Sequence, residues 1–155
     1  MKASDLIAQA NRLAKASQHK PRQVDLKRGV SAAYYAMFHA LAKECADTIA
    51  GAGRDRSQAA WAQVYRALEH GVARNACKQA RNKGFPPGIV KFAETFAVLQ
   101  DERHAADYDP QSLYGRAVTS TLVSNAAQAI ADFGRAARAD RRAFVALVLL
   151  REPRR

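Results

Sequence analysis

Glycine and proline are few, 8 and 5 in 155 residues, while hydrophobic residues make up 48%. That balance excludes fibrous and disordered classes. Only two cysteines occur, Cys45 and Cys77, and their wide spacing is neither a disulfide framework nor a metal pair. They read as small buried hydrophobes. The longest apolar run, Ala143 to Leu150, is far short of the ~20 residues that span a bilayer. The N-terminus alternates polar and apolar residues and lacks a signal core. A cytoplasmic protein with no membrane partner is therefore expected.

Sharp chemical signatures are missing too. His19, His39, His70 and His104 stand alone, without the His-Glu-x-x-His spacing of a metal site. The glycines punctuate turns and do not build a phosphate loop, and nothing resembles a nucleophile elbow. No metal and no cofactor are expected. There is no internal repeat and no low-complexity tract.

Acidic residues are the other shortage: 14 Asp and Glu against 25 Lys and Arg give a net charge of +11. Such an excess favours polyanionic partners, nucleic acid first among them, although a solvated basic surface would give the same composition. It concentrates in two groups. Arg54, Arg56, Arg66, Arg74, Lys78, Arg81, Lys83 and Lys91 are opposed along the chain only by Asp55 and Glu69. Arg135, Arg138, Arg141, Arg142, Arg151, Arg154 and Arg155 are opposed only by Asp140 and Glu152.

What is abundant is alanine, which with Leu, Gln, Arg and Lys favours helix because these side chains lose little rotamer freedom there. The organising stretch runs from Arg28 to Lys43, with no charge between them. Val30, Tyr34, Met37, Phe38, Leu41, Cys45 and Ile49 follow the helical apolar rule. Gly29, Ala33, Ala36 and Ala40 form a small-residue face that admits a close neighbour. Between the two lies a line of Arg28, Tyr35 and His39, separated by about two turns and then one. Asp25 opens this central helix, which stops at Gly51-Ala52-Gly53.

Before it, Ser4-Asp5 caps a first helix ending near Ser17, since Lys20-Pro21 opposes continuation. After it, Ser57 caps a third helix through Leu68. Gly71 bends or breaks that helix, and Ala73 to Lys83 reads as an exposed extension or loop. Gly84-Phe85-Pro86-Pro87-Gly88 is a clear break. The next helix carries Ile89, Phe92, Ala93, Phe96 and Leu99 on one side, and Arg103 and Asp107 continue that stripe. Asp109-Pro110 closes it, and Pro110 is expected to start a helix of about 25 residues, patterned from Leu113 to Phe133. Residues Arg141 to Leu150 read as a terminal helix, packed over the bundle or against a partner, with a strand as the alternative. The expected architecture is all-α. It is a four-long-helix antiparallel up-and-down bundle with a short extra C-terminal helix, a single domain over 1–155 with a core at 4–138 and a basic, apolar extension at 140–155.

Within Asp101-Glu102-Arg103-His104-Ala105-Ala106-Asp107-Tyr108-Asp109-Pro110, Arg103 and Asp107 are one turn apart and can pair. An ion pair that joins this helix to the central one, with Tyr35 hydrogen-bonded to it, is the structural reading. Together with Ser31-Ala-Ala-Tyr-Tyr-Ala-Met-Phe-His39, the segment resembles the HEPN superfamily of small helical bundles. The likeness covers residues 4 to 138. It implies a homodimer, and many members are metal-independent ribonucleases of toxin–antitoxin and other defence systems. Their signature is an Arg followed, after four to six residues, by a His. Here Arg103 fills the Arg position, and Tyr108, Asp109 and Pro110 stand where the His would be. A phenol titrates near 10 and imidazole near 6.5, so Tyr108 is a poor general base.

The resemblance thus implies an RNA- or nucleotide-binding module of a toxin–antitoxin or defence type, without efficient catalysis, that uses Arg28, Tyr35, His39, Arg103, Asp107 and Tyr108. One alternative is a metal-independent endoribonuclease with Arg103, Tyr108, His104 and His39. Another is a protein-interaction module in which Phe144 to Leu150 docks a cognate antitoxin or other neighbour-encoded protein.

Overall fold

The computed structural model describes residues 1–17 and 19–153, and among them every regular element is a helix. In chain order these are α1 (Ala3–Lys15), α2 (Gln23–Ala50), α3 (Gln58–Ala67), α4 (His70–Gln79), α5 (Pro87–Tyr108), α6 (Arg116–Arg135) and α7 (Arg138–Leu149). The fold is all-α. Of the four long helices expected, α2, α5 and α6 have 28, 22 and 20 residues. The first, α1, has 13.

The central helix behaves as its sequence dictates. Val30, Tyr34, Met37, Leu41 and Cys45 are fully buried. Ile49, the end of that apolar stripe, is 56% exposed. On the small-residue face, a Cβ added to Gly29 would stand 3.2 Å from Thr119 Cγ2 on α6 and 3.4 Å from the Ala10 carbonyl oxygen on α1. Two helices thus close on α2 at its one residue without a side chain. Helix α2 packs against α1, α3, α5, α6 and α7.

Ser57 caps α3 as its residue type suggests, accepting from the Ala60 N–H at 3.2 Å. The stretch Ala73 to Lys83, read as an exposed extension or loop, is helical through Gln79 as part of α4, which starts at His70. Its buried face is Ala73, Ala76 and Cys77, too small to register as an apolar stripe yet well suited to close packing on α5 and α7. Pro87 then occupies the first turn of α5, where a missing N–H costs nothing.

Pro110 does not begin a helix. Ser112 Oγ donates to the Ala105 and Asp109 carbonyls, and Asp109 Oδ1 accepts from the Gln111 N–H. The Gln23 side chain then clamps the backbone of Tyr114, donating to its carbonyl at 2.8 Å and accepting from its N–H at 2.9 Å. Only at Arg116 does α6 start, and its buried line is Thr119, Val123, Ala126, Ala129 and Phe133. Leu113 and Val118, expected on that face, are exposed.

The segment at 141–150 is helical as part of α7, so the strand alternative is not realised. Phe144, Val145 and Val148 are buried in the chain's own core, with Phe144 beside Phe85, Phe92 and Phe133. Of the large apolar residues in this segment, only Leu150 is exposed.

Candidate functional site

Helix periodicity puts Lys27, Ser31, Tyr35 and His39 on one line of α2, each a turn beyond the last. Arg28 stands beside the first of them. This line forms one wall of an open groove of about 940 Å³, which α1 borders with Leu6, Gln9 and Leu13, and the end of α5 borders with Ala106, Asp107 and Tyr108. The groove therefore gathers Arg28, Tyr35, His39, Asp107 and Tyr108 from the sequence reading. His104 lies outside it, on the exposed face of α5, with its ring 5.0 Å from that of Tyr108.

Arg103 sits behind the groove wall. Its side chain is 12% exposed, and Nη1 lies 3.6 Å from Asp107 Oδ2. The guanidinium carbon is 5.2 Å from the Tyr34 ring centre, 5.7 Å from Tyr35 and 6.0 Å from Tyr108, within reach of cation–π attraction. Its Nε is buried without a hydrogen-bond partner among the described residues. The pair with Asp107 is internal to α5 and does not itself join two helices. The link to α2 is made by Ser31, whose hydroxyl donates to Asp107 Oδ2 at 3.4 Å, and by the two tyrosine rings. Ser31, and not Tyr35, supplies the hydroxyl.

Sequence reasoning passed over His70. This first residue of α4 stacks on Phe38 with ring centres 4.0 Å apart, and its Nδ1 lies 2.5 Å from the Tyr34 hydroxyl. Burial holds the imidazole below its ordinary value of 6.5, and the nearby positive charge of Arg103 adds to the shift. Burial raises the Tyr34 phenol, so it keeps a proton that it can donate to Nδ1. Gln100 completes the arrangement by donating from Nε2 to the His70 carbonyl at 3.2 Å.

His39 is held from the opposite side to the groove. Its Nδ1 is hydrogen-bonded to the Tyr65 hydroxyl of α3. Tyr65 in turn stacks on Trp61 at 5.0 Å, and Trp61 Nε1 donates to Asp47 Oδ1 at 2.8 Å. Burial lowers the pKa of His39 from 6.5, and the Met1 α-amino group pushes the same way. It is therefore neutral at pH 7. Lys27, Ser31 and Tyr65 also belong to the site. A strict four-residue count along α2 exposes the first two, whereas Tyr65 is reached only through the fold.

The basic clusters look different once folded. Arg56 meets Asp47 at 3.5 Å, Arg74 meets Asp101 at 2.7 Å, Arg81 meets Glu94 at 2.7 Å and Lys83 meets Glu152 at 3.1 Å. In the C-terminal group, Arg135 pairs with Asp132, and Arg141 lies 3.4 Å from Glu44. Arg154 and Arg155 fall outside the described residues. The cationic side chains that line the groove are Lys27 and Arg28, and Met1, whose α-amino charge reaches His39, lines it too.

Among the described residues no three His, Cys, Asp or Glu side chains gather as a metal site, and no helix is long and apolar enough to cross a membrane. No protein-family model, curated protein or solved structure matches the chain, so the functional reading rests on the groove and on the residues that line it.

Proposed function

We propose that this chain is a HEPN-like helical module that binds RNA or a nucleotide in the groove between α1, α2 and α5. The observation that carries this reading is the convergence of Lys27, Arg28, Tyr35, His39 and Tyr108 over one open cleft. Cationic side chains suit phosphate oxygens, and aromatic faces suit unstacked bases. Arg103 adds positive charge from behind the wall, while Asp107 neutralises part of it. Helix packing of α1 on α2, α2 on α5, α5 on α6 and α6 on α1 is the ring of neighbours that an antiparallel up-and-down four-helix bundle requires. In this reading α7 is the short extra helix. The homodimer, the cognate antitoxin or other neighbour-encoded partner, and the toxin–antitoxin or defence setting follow from the resemblance in motif.

The test is fluorescence anisotropy with a short fluorescein-labelled oligo(U) and with a labelled ADP, each at rising salt. Binding to the oligonucleotide should weaken with a log–log slope of roughly −0.7 per phosphate neutralised. The double variant Lys27→Glu/Arg28→Glu should bind more weakly and with a flatter slope. Undetectable binding of both probes at low salt refutes the proposal.

A second reading, metal-independent RNA cleavage, has one specific observation in its favour. His39 is a neutral imidazole on the groove wall, and as the Nδ1–H tautomer, donating to Tyr65, it would keep the free Nε2 that a general base needs. EDTA-resistant cleavage of a fluorogenic RNA, abolished in His39→Ala, would support it. No cleavage leaves the binding module as the function.

A further inference from the structure

The groove is anchored at two places far apart along α2. Lys27 and Arg28 stand at one end, and His39 stands three turns away, about 18 Å from Lys27 at 1.5 Å per residue. Between them lie Ser31 and Tyr35. A mononucleotide carries its phosphates at one end only and cannot answer both anchors. A single-stranded polynucleotide can, because phosphates recur along its backbone.

What His39 offers is fixed by its other side. Burial raises the pKa of the Tyr65 phenol, so it keeps a proton that it can donate to His39 Nδ1. A neutral imidazole that accepts at Nδ1 must carry its own proton on Nε2. Tyr65 is itself packed on Trp61, which is tied to Asp47, and Arg56 covers the Trp61 ring at 4.4 Å. A rigid stack outside the groove thus holds the hydroxyl that faces Nδ1. An Nε2–H is a donor and suits an anionic oxygen.

We infer that His39, held by Tyr65 as the Nε2–H tautomer, donates to a second phosphate of a single-stranded polynucleotide lying along α2, and that this contact makes the groove prefer a polynucleotide to a mononucleotide. His39 is the specificity-determining residue and Tyr65 its positioning residue. The inference rests on the nucleic-acid reading of the groove.

Two measurements test it, both on the full chain. In the first, labelled oligo(U) and labelled ADP are titrated against the parent, His39→Leu and His39→Gln proteins. A lost hydrogen bond to a charged group corresponds to about tenfold or more in affinity. His39→Leu should therefore weaken oligo(U) by about that factor and leave ADP unchanged. His39→Gln, which restores an N–H donor, should recover most of the loss. In the second, imidazole ¹⁵N shifts are recorded for the parent and for Tyr65→Phe. The parent should show Nε2–H at His39, and the variant a mixture of tautomers with weaker oligo(U) binding. A merely structural Tyr65 would lower stability and leave the tautomer alone.

Equal binding of oligo(U) and ADP by the parent, an equal effect of His39→Leu on both probes, or an unchanged tautomer in Tyr65→Phe would each overturn the inference while the binding module stands. Failure of both probes to bind the parent overturns the two together.

Discussion

Replacing Arg103 with Met should leave the fold within about 1 kcal/mol of the parent, because gains and losses at this site nearly cancel. On the losing side, the guanidinium lies over Tyr34 and Tyr35 at 5.2 and 5.7 Å, contacts worth roughly 0.5–1 kcal/mol each. Its ion pair with Asp107 is long, at 3.6 Å, and the carboxylate side chain is 30% exposed, so the pair adds about 1 kcal/mol at most. On the gaining side, the buried Nε has no partner among the described residues, and an unsatisfied buried donor costs about 1–3 kcal/mol. Met removes that cost, fills much of the same volume and makes favourable sulfur contacts with aromatic rings. Asp107, left behind, keeps Ser31 and solvent. Arg103→Ala lacks the filling and should cost about 2–3 kcal/mol through the hole it leaves. Urea denaturation followed by far-UV circular dichroism measures both variants. If Arg103→Met alone lost ~3–5 kcal/mol, the range for breaking a buried pair, then Asp107 would be shut off from water and the reasoning would fail.

Gly29→Val should destabilise the fold by roughly 1–3 kcal/mol, since the first carbon already meets Thr119 and α1; thermal melting checks it, and an unchanged midpoint would show that the helices can part freely. Burial pushes the thiols of Cys45 and Cys77 up to about 12, so a disulfide exchange reagent should label neither in the native protein and both in denaturant. Stability should fall as the pH drops from 7 through 6.5, because the unfolded chain takes up protons at His39 and His70 that the folded chain, with both values lowered, does not. His70→Asn, which keeps an acceptor for the Tyr34 hydroxyl, should flatten that slope in denaturant titrations at several pH values; an unaltered slope would exclude His70 as a source.

How much of this was legible in the sequence depended on how each element buries its surface. Helices α2 and α5 bury large side chains at regular intervals, so Tyr34, Met37, Leu41, Phe92, Phe96 and Leu99 announced their core faces. Helix α4 buries Ala73, Ala76 and Cys77, whose small size leaves a period with almost no amplitude, and it read as an exposed extension or loop. The start of α6 was misplaced for a different reason. What stops helix before Arg116 is the clamp of Gln23 on Tyr114, a contact across 91 residues that no local pattern encodes. The Arg103–Asp107 pair was readable because both ends share one helix face. His70 was not, since its partners Tyr34 and Phe38 come from another helix.

The charge pattern carries the same lesson further, because pairing along the chain and pairing in space select different cations. Arg74, Arg81 and Lys83 looked unopposed in sequence, yet each meets a carboxylate 13 to 69 positions away. Those cations are exposed or partly exposed and screened, so they contribute little to stability and offer a polyanion a field already partly cancelled. Arg28 stood out in sequence on the line with Tyr35 and His39, whereas its neighbour Lys27 was unremarkable, one more basic residue shortly after Asp25. Asp25 is taken up by Arg22 at 3.0 Å, and Lys27 leans on the Asp109 carbonyl at 3.4 Å, a weak contact that a phosphate can replace. On the proposed nucleic-acid reading, net charge would draw a polyanion to the whole surface and the groove would decide where it stays. It follows that neutralising Arg81 or Lys83 should change affinity for nucleic acid far less than neutralising Lys27, although each removes the same formal charge.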